Sequence, residues 1–293
     1  MLLTFSPISS YNSRVRTSWD AGIFIAAVVL VVALALAAAS SAAFLLGRPG
    51  MAETLTDLPT NPWWLIYHDP GSGNSAQPLL VMGASVVAPA IGLGFAFRAR
   101  VLYRRSRTSV LPYLLLFFLT LGTECLRAPS AMLYAADRSI PVAVVLTRAV
   151  YWGRFAGLLA LLLSSLYCMD LKYRHFYMLG GGALLVALAM AATIPIDRST
   201  FLSQFLWKLG DEEGVWFVDL SVSALILLTT IGAAVLKRDR RFFMVAGGFL
   251  LLLAAREVLF FGVRMLPLAC GLGMLAVGAV FCFRSVAGIY RGA

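Results

Sequence analysis

Charge is scarce in this chain: 13% of its 293 residues are Asp, Glu, Lys or Arg, while 60% are apolar and the mean hydropathy is +0.86. An ordinary soluble domain carries about 25% charged residues. Lysine is scarcer still. Lys172, Lys208 and Lys237 are all there are, and each falls between apolar runs or at their edges, so no amine sits at membrane depth for a retinal Schiff base. His68 and His175 are the two histidines and fall on opposite sides of the expected membrane. That excludes intramembrane bis-histidine haem, a histidine metal centre within one chain and a buried Ser–His protease. Asp219 is the single aspartate inside an apolar run, which excludes an aspartyl dyad. Cys125, Cys168, Cys270 and Cys282 lie in or at the ends of the runs without CxxC spacing, as packing residues do, so no disulfide framework is expected. No cofactor is implied. No catalytic residue is assigned, although a Glu124–Glu257 pair would suit acid–base chemistry if the two carboxylates met.

Long apolar runs are what the chain has in quantity. Eight approach the roughly 20 residues needed to cross a hydrocarbon core, at about 21–46, 78–97, 109–128, 141–168, 176–195, 214–236, 242–263 and 267–288. The expected fold is therefore all-α, a polytopic membrane bundle of eight spans forming one unit over 1–293, without a soluble output domain. The first run has a rival reading as a cleaved signal, with Arg14 and Arg16 before it and Ala38–Ala42 as the site, which would leave seven spans. Its length exceeds the about 7–15 apolar residues of a signal peptide and favours retention. With the N-terminus inside, 15 of the 24 Lys and Arg residues fall on the cytoplasmic side, five outside and four within spans. That split places both termini in the cytoplasm of a plasma membrane, bacterial in character. The net charge of +10 is thus topological and lipid-facing, and no nucleic-acid partner is expected.

Small residues mark helix contacts. Ala84, Ala88, Gly92 and Ala96 recur every fourth position, Gly153 and Gly157 form GxxxG, and Ala269 with Gly273 makes a weaker version. Pro89 is expected to kink its span.

The informative residues are seven ionisable groups inside the apolar runs: Glu124, Arg127, Arg148, Arg154, Asp219, Arg256 and Glu257. At roughly 2.5–3.5 kcal/mol each on insertion scales, seven unpaired charges would cost about 20 kcal/mol, more than the about 5–15 kcal/mol stability of a typical domain. They must pair, face water or reach the interface. Counting about 1.5 Å per residue from the expected boundaries places Glu124, Arg148, Asp219 and Glu257 at similar height in the outer half. Arg127 lies one turn from Glu124, and Arg256 stands beside Glu257. The expected site is an outward-facing pocket of Glu124, Arg148, Asp219 and Glu257 with Arg256 and Arg127, while Arg154 lies deeper on another face. Glu124 and Glu257 each follow a basic loop by a similar distance, which suggests parallel 4 + 4 halves, about 1–170 and 171–293.

A weaker constellation lies outside. The loop Asn61–Pro70 resembles an interfacial aromatic segment, and its His68 and Asp69 could join Asp211, Glu212 and Glu213 around a cation. In general architecture the chain resembles seven- or eight-helix sensory modules of bacterial receptors, without a motif to carry the likeness. The leading expectation is a sensor of a small ligand or ion that acts through a separate cytoplasmic partner. An ion-coupled transporter, a structural subunit of a membrane complex and a lipid-modifying enzyme follow in that order. Oligomeric state is not legible.

Overall fold

The computed structural model describes residues 8–56, 58–59, 77–106, 108–137, 139–169 and 176–290. Ten α-helices are described: α1 (Ile8–Leu46), α2 (Pro49–Glu53), α3 (Pro78–Ser106), α4 (Val110–Thr120), α5 (Arg127–Ala135), α6 (Ile140–Cys168), α7 (Phe176–Thr193), α8 (Glu212–Lys237), α9 (Arg240–Phe261) and α10 (Met265–Tyr290). A 3₁₀ segment, Leu121–Leu126, joins α4 to α5, and an antiparallel hairpin of β1 (Ile196–Phe201) and β2 (Trp207–Leu209) joins α7 to α8. Among the described residues seven helical stretches are long and apolar enough to cross a membrane, and Met178–Thr193 of α7 is a shorter apolar helix. Large apolar side chains such as Leu36, Leu185, Phe217, Leu228 and Leu266 point outward, an arrangement suited to lipid and costly in water.

α6 and the α4–α5 stretch are the most buried spans. α6 touches α4, α5, α7 and α8, and α9 packs most intimately on α10. The expected glycine contacts govern these seams. A Cβ on Gly153 would collide with the Thr123 side chain, and one on Gly157 would meet Thr120 Oγ1. Gly92 brings α3 against Phe118 O and Leu121, and Gly248 lies against Gly278 between α9 and α10. Ala269 and Gly273, however, are exposed. The buried stripe of α10 runs instead through Gly271, Leu275 and Gly278, with Gly271 against Leu259.

The third span does not continue as α-helix. Thr120 Oγ1 donates to Phe117 O at 2.7 Å and Thr123 Oγ1 to Thr120 O at 2.9 Å. These bonds to the carbonyl three residues back favour the tighter 3₁₀ turn that follows.

Residues 196–209, which lie between the apolar runs 176–195 and 214–236, fold into the hairpin. Its tip is buried: Leu202, Ser203, Gln204, Phe205 and Leu206 are all enclosed. Phe205 takes the left-handed conformation (φ 63°), held by its own N–H to Leu202 O at 2.8 Å and by Leu202 N–H to Leu206 O at 2.9 Å. Such a conformation costs a bulky residue about 1–3 kcal/mol, so packing must hold it. Tyr134 of α5 supplies part of that packing by stacking on Phe201 at 4.2 Å.

Candidate functional site

Three helices contribute to one closed charge network below the hairpin. Arg154 of α6 donates from Nε and Nη2 to Asp219 Oδ2 of α8, at 2.9 and 2.5 Å. Its Nη2 also donates to Glu257 Oε2 of α9 at 2.5 Å. Arg256 donates from Nη2 to Asp219 Oδ1 at 3.0 Å, and to Glu257 Oε1 from Nη2 at 3.0 Å and Nε at 3.3 Å. Its Nη1 donates to the backbone carbonyl of Arg154 at 3.0 Å. Two guanidinium groups and two carboxylates thus balance one another, which low-dielectric surroundings require. Both carboxylates accept from both arginines, and Asp219 is the more enclosed of the two. Arg154 stacks over the Phe260 ring at 4.1 Å, a cation–π contact on a fully buried face.

The network is not equally enclosed. The side chains of Arg154, Asp219 and Arg256 are 3%, 7% and 4% exposed, whereas that of Glu257 is 32% exposed. Nη1 of Arg154 is buried and finds no hydrogen-bond partner among the described residues. Toward the α7–α8 hairpin the Phe260 ring under Arg154 belongs to a buried cluster with Tyr151, Phe155, Leu206 and Leu209. On the other side α6, α8 and α9 present Leu158, Leu161, Ile226, Phe249, Leu252 and Leu253, all buried in one apolar cluster.

A second, smaller cluster abuts the first. Arg127 Nη1 donates to Glu124 Oε2 at 3.2 Å. Its other donors go to carbonyls: Nη2 to Phe260 O at 2.7 Å, Nη1 to Leu259 O at 3.4 Å, and Nε to Gln204 O at 2.8 Å. Arg127 therefore caps the C-terminal end of α9, where a cation is favoured, and ties it to the hairpin tip. The Phe260 ring lies between the clusters, 5.2 Å from the Arg127 guanidinium carbon.

Of the four residues counted to similar height the structure brings Asp219 and Glu257 together, with Arg256, and supplies Arg154 as the second cation in place of Arg148. Arg148 is exposed and forms no part of the network. Six residues at about 100° each set the two arginines about 240° apart on α6, so only one can face α8 and α9. Simple height counting failed because α6 reaches further at the hairpin end: Arg154, well inside α6, is level with Asp219 near the start of α8 and Glu257 near the end of α9. Glu124 also stands apart. In the 3₁₀ segment side chains at i and i+3 eclipse, which turns Glu124 onto Arg127. One sequence signal did point to Arg154: Gly157, three residues on, marks the packed face of α6.

Of the outer candidates, His68 and Asp69 lie outside the described residues, as does the whole Asn61–Pro70 loop. Asp211 caps α8, its Oδ1 accepting from Gly214 N at 2.9 Å, and Glu212 and Glu213 occupy the first turn, where acids suit the helix dipole. Among the described residues no group of three or more His, Cys, Asp or Glu is placed to hold a metal. On the hairpin, Asp197 is exposed. The Ser199 hydroxyl and then the Ser199 N–H donate to it at 2.6 and 2.8 Å, holding its carboxyl below the ordinary carboxylate range.

No family model, curated protein or solved structure matches this chain.

Proposed function

We propose that this protein is a receptor-like membrane module that recognises a small polar ligand or ion through the Arg154–Asp219–Arg256–Glu257 network and passes the signal through its helices to a separate cytoplasmic partner. The observation that carries this reading is the asymmetry of the network, whose one partly exposed member is Glu257. Beneath it lies the apolar layer around Ile226, Phe249 and Leu252. Access from one end suffices for reception, while transport needs a polar path beyond that layer.

The reading includes eight spans, with α7 as the fifth, both termini in the cytoplasm and a bacterial plasma membrane. The hairpin then lies outside. The 15 to 5 distribution of basic residues supports this orientation. Parallel halves of about 1–170 and 171–293 belong to the same reading. In each half the third span carries a glutamate paired with an arginine of the same span, Glu124 with Arg127 three residues on and Glu257 with the adjacent Arg256.

The test is a thermal-stability screen of small polar solutes against the full-length protein in lipid nanodiscs. A receptor gives hits that vanish in Asp219→Asn and that produce no flux in proteoliposomes. Hits with flux favour a carrier, in which Asp219 and Glu257 are the coupling carboxylates. An empty screen favours a structural subunit, a role to which the mutual pairing of the four charges is also suited.

A further inference from the structure

The Arg154 guanidinium is only partly used. Asp219 Oδ2 takes the Nε and Nη2 donors along one edge, at 2.9 and 2.5 Å. On the other edge Glu257 Oε2 takes Nη2 at 2.5 Å, but its second oxygen turns away to Arg256. The adjacent Nη1 is left without a partner among the described residues, although the Arg154 side chain is 3% exposed. A buried donor left unpaired is unfavourable, and this one belongs to a charged group. The Nη1–Nη2 fork is therefore half filled.

Glu257 fills it badly for a reason built into α9. It directly follows Arg256, and adjacent side chains on a helix do not face each other. Reaching Arg256 draws its carboxylate away from Nη1 of Arg154. Glu257 is also the member best placed to leave, being 32% exposed. A carboxylate that is not tethered to α9 escapes this constraint. It can lie in the guanidinium plane and accept from Nη1 and Nη2 together, the bidentate geometry for which arginine is suited.

We infer that the ligand of this site carries a carboxylate, which completes the Arg154 fork in place of Glu257, and that Glu257 is its intramolecular stand-in. The inference rests on the network being a ligand site. Charge balance selects the class: one incoming carboxylate replaces one departing carboxylate, and the arginines remain neutralised. A cation gains little, because the Glu257 oxygens already accept from guanidinium groups. A phosphate dianion would leave an excess negative charge.

The experiment uses the full-length protein in zwitterionic nanodiscs, titrated with formate, acetate and propionate. Sodium chloride, inorganic phosphate and methylammonium chloride at matched ionic strength are the comparison probes. Wild type is expected to bind the carboxylates saturably and the comparison probes not at all. Glu257→Gln, which removes the competing charge, is expected to bind acetate at least ten-fold more tightly, and Arg154→Lys, which removes the fork, at least ten-fold more weakly. The wild-type titration decides alone if a variant does not fold. Saturable binding of phosphate or methylammonium in preference to the carboxylates, lost in Asp219→Asn, overturns the carboxylate class while leaving a ligand site. No saturable carboxylate binding overturns the inference outright, and the ligand-site reading falls with it only if the solute screen is also empty.

Discussion

At the scale of single residues, Asp219 and Arg154 form the pair on which the network depends. Asp219 accepts three hydrogen bonds from two arginines, and Arg154 serves both carboxylates. Truncating one partner of a buried pair leaves an uncompensated charge, at about 3–5 kcal/mol. Arg154→Gln is thus expected to lower unfolding stability by that order, whereas Arg148→Gln, at an exposed position, should stay within about 0.5 kcal/mol. Chemical denaturation in detergent compares the two. A double-mutant cycle sharpens the contrast: Arg154 with Asp219 departs from additivity by more than about 0.5 kcal/mol, and Arg148 with Glu257 does not. The acids of this site were legible because a buried carboxylate is expensive wherever it lies. The choice between two arginines on one helix was not, since it turns on how far α6 projects past its neighbours. Arg127 was likewise legible as a charge, but its task of holding Gln204 to the end of α9 depends on a hairpin that no residue pattern announced.

At the scale of elements, two seams govern the region around the network. The first is α6 against the 3₁₀ segment, where Gly153 faces Thr123. Gly153→Ala is expected to cost about 1–3 kcal/mol through overpacking, with partial recovery in the double variant with Thr123→Ala. Gly232→Ala, where an added methyl meets nothing, is the control. Thermal unfolding of the four proteins checks this. The second seam is the buried hairpin tip. Arg127→Gln removes its bond to Gln204 O, so amide exchange in residues 202–207 should quicken while that in α10 stays unchanged. The hairpin also carries a small pH dependence. Asp197 has a lowered folded-state pKa, so its support for the Ser199 turn is present above the ordinary carboxylate range and fades as pH falls through the lowered value. The protection factor of the Ser199 amide, its exchange measured against the intrinsic rate at each pH, should fall only in that acid window. The small-residue stripes were readable before the structure because close approach of helices tolerates little else. The 3₁₀ segment was not, since an apolar run hides a change of helical period.

At the scale of the whole molecule, composition and run length specify an all-α bundle with helices of membrane-crossing length, and α1, α3, α8, α9 and α10 fall where the runs do. What composition leaves open is which way the bundle faces. Reporters fused after Arg107, Arg174 and Arg241 are expected in the cytoplasm and those near Gly71 and Ser199 outside; two of five on the wrong side would require a different topology. The central claim is that the charge network opens to the exterior through Glu257 alone. It is tested most directly by placing Glu257→Cys in a Cys270→Ser background, which removes the exposed native thiol, and treating it with a membrane-impermeant maleimide. The account predicts modification from outside in intact cells, none from the cytoplasmic face of inverted vesicles, and none at Asp219→Cys from either side. Modification of the Glu257→Cys thiol from the cytoplasmic face, or its resistance from both sides in a folded protein, would contradict it.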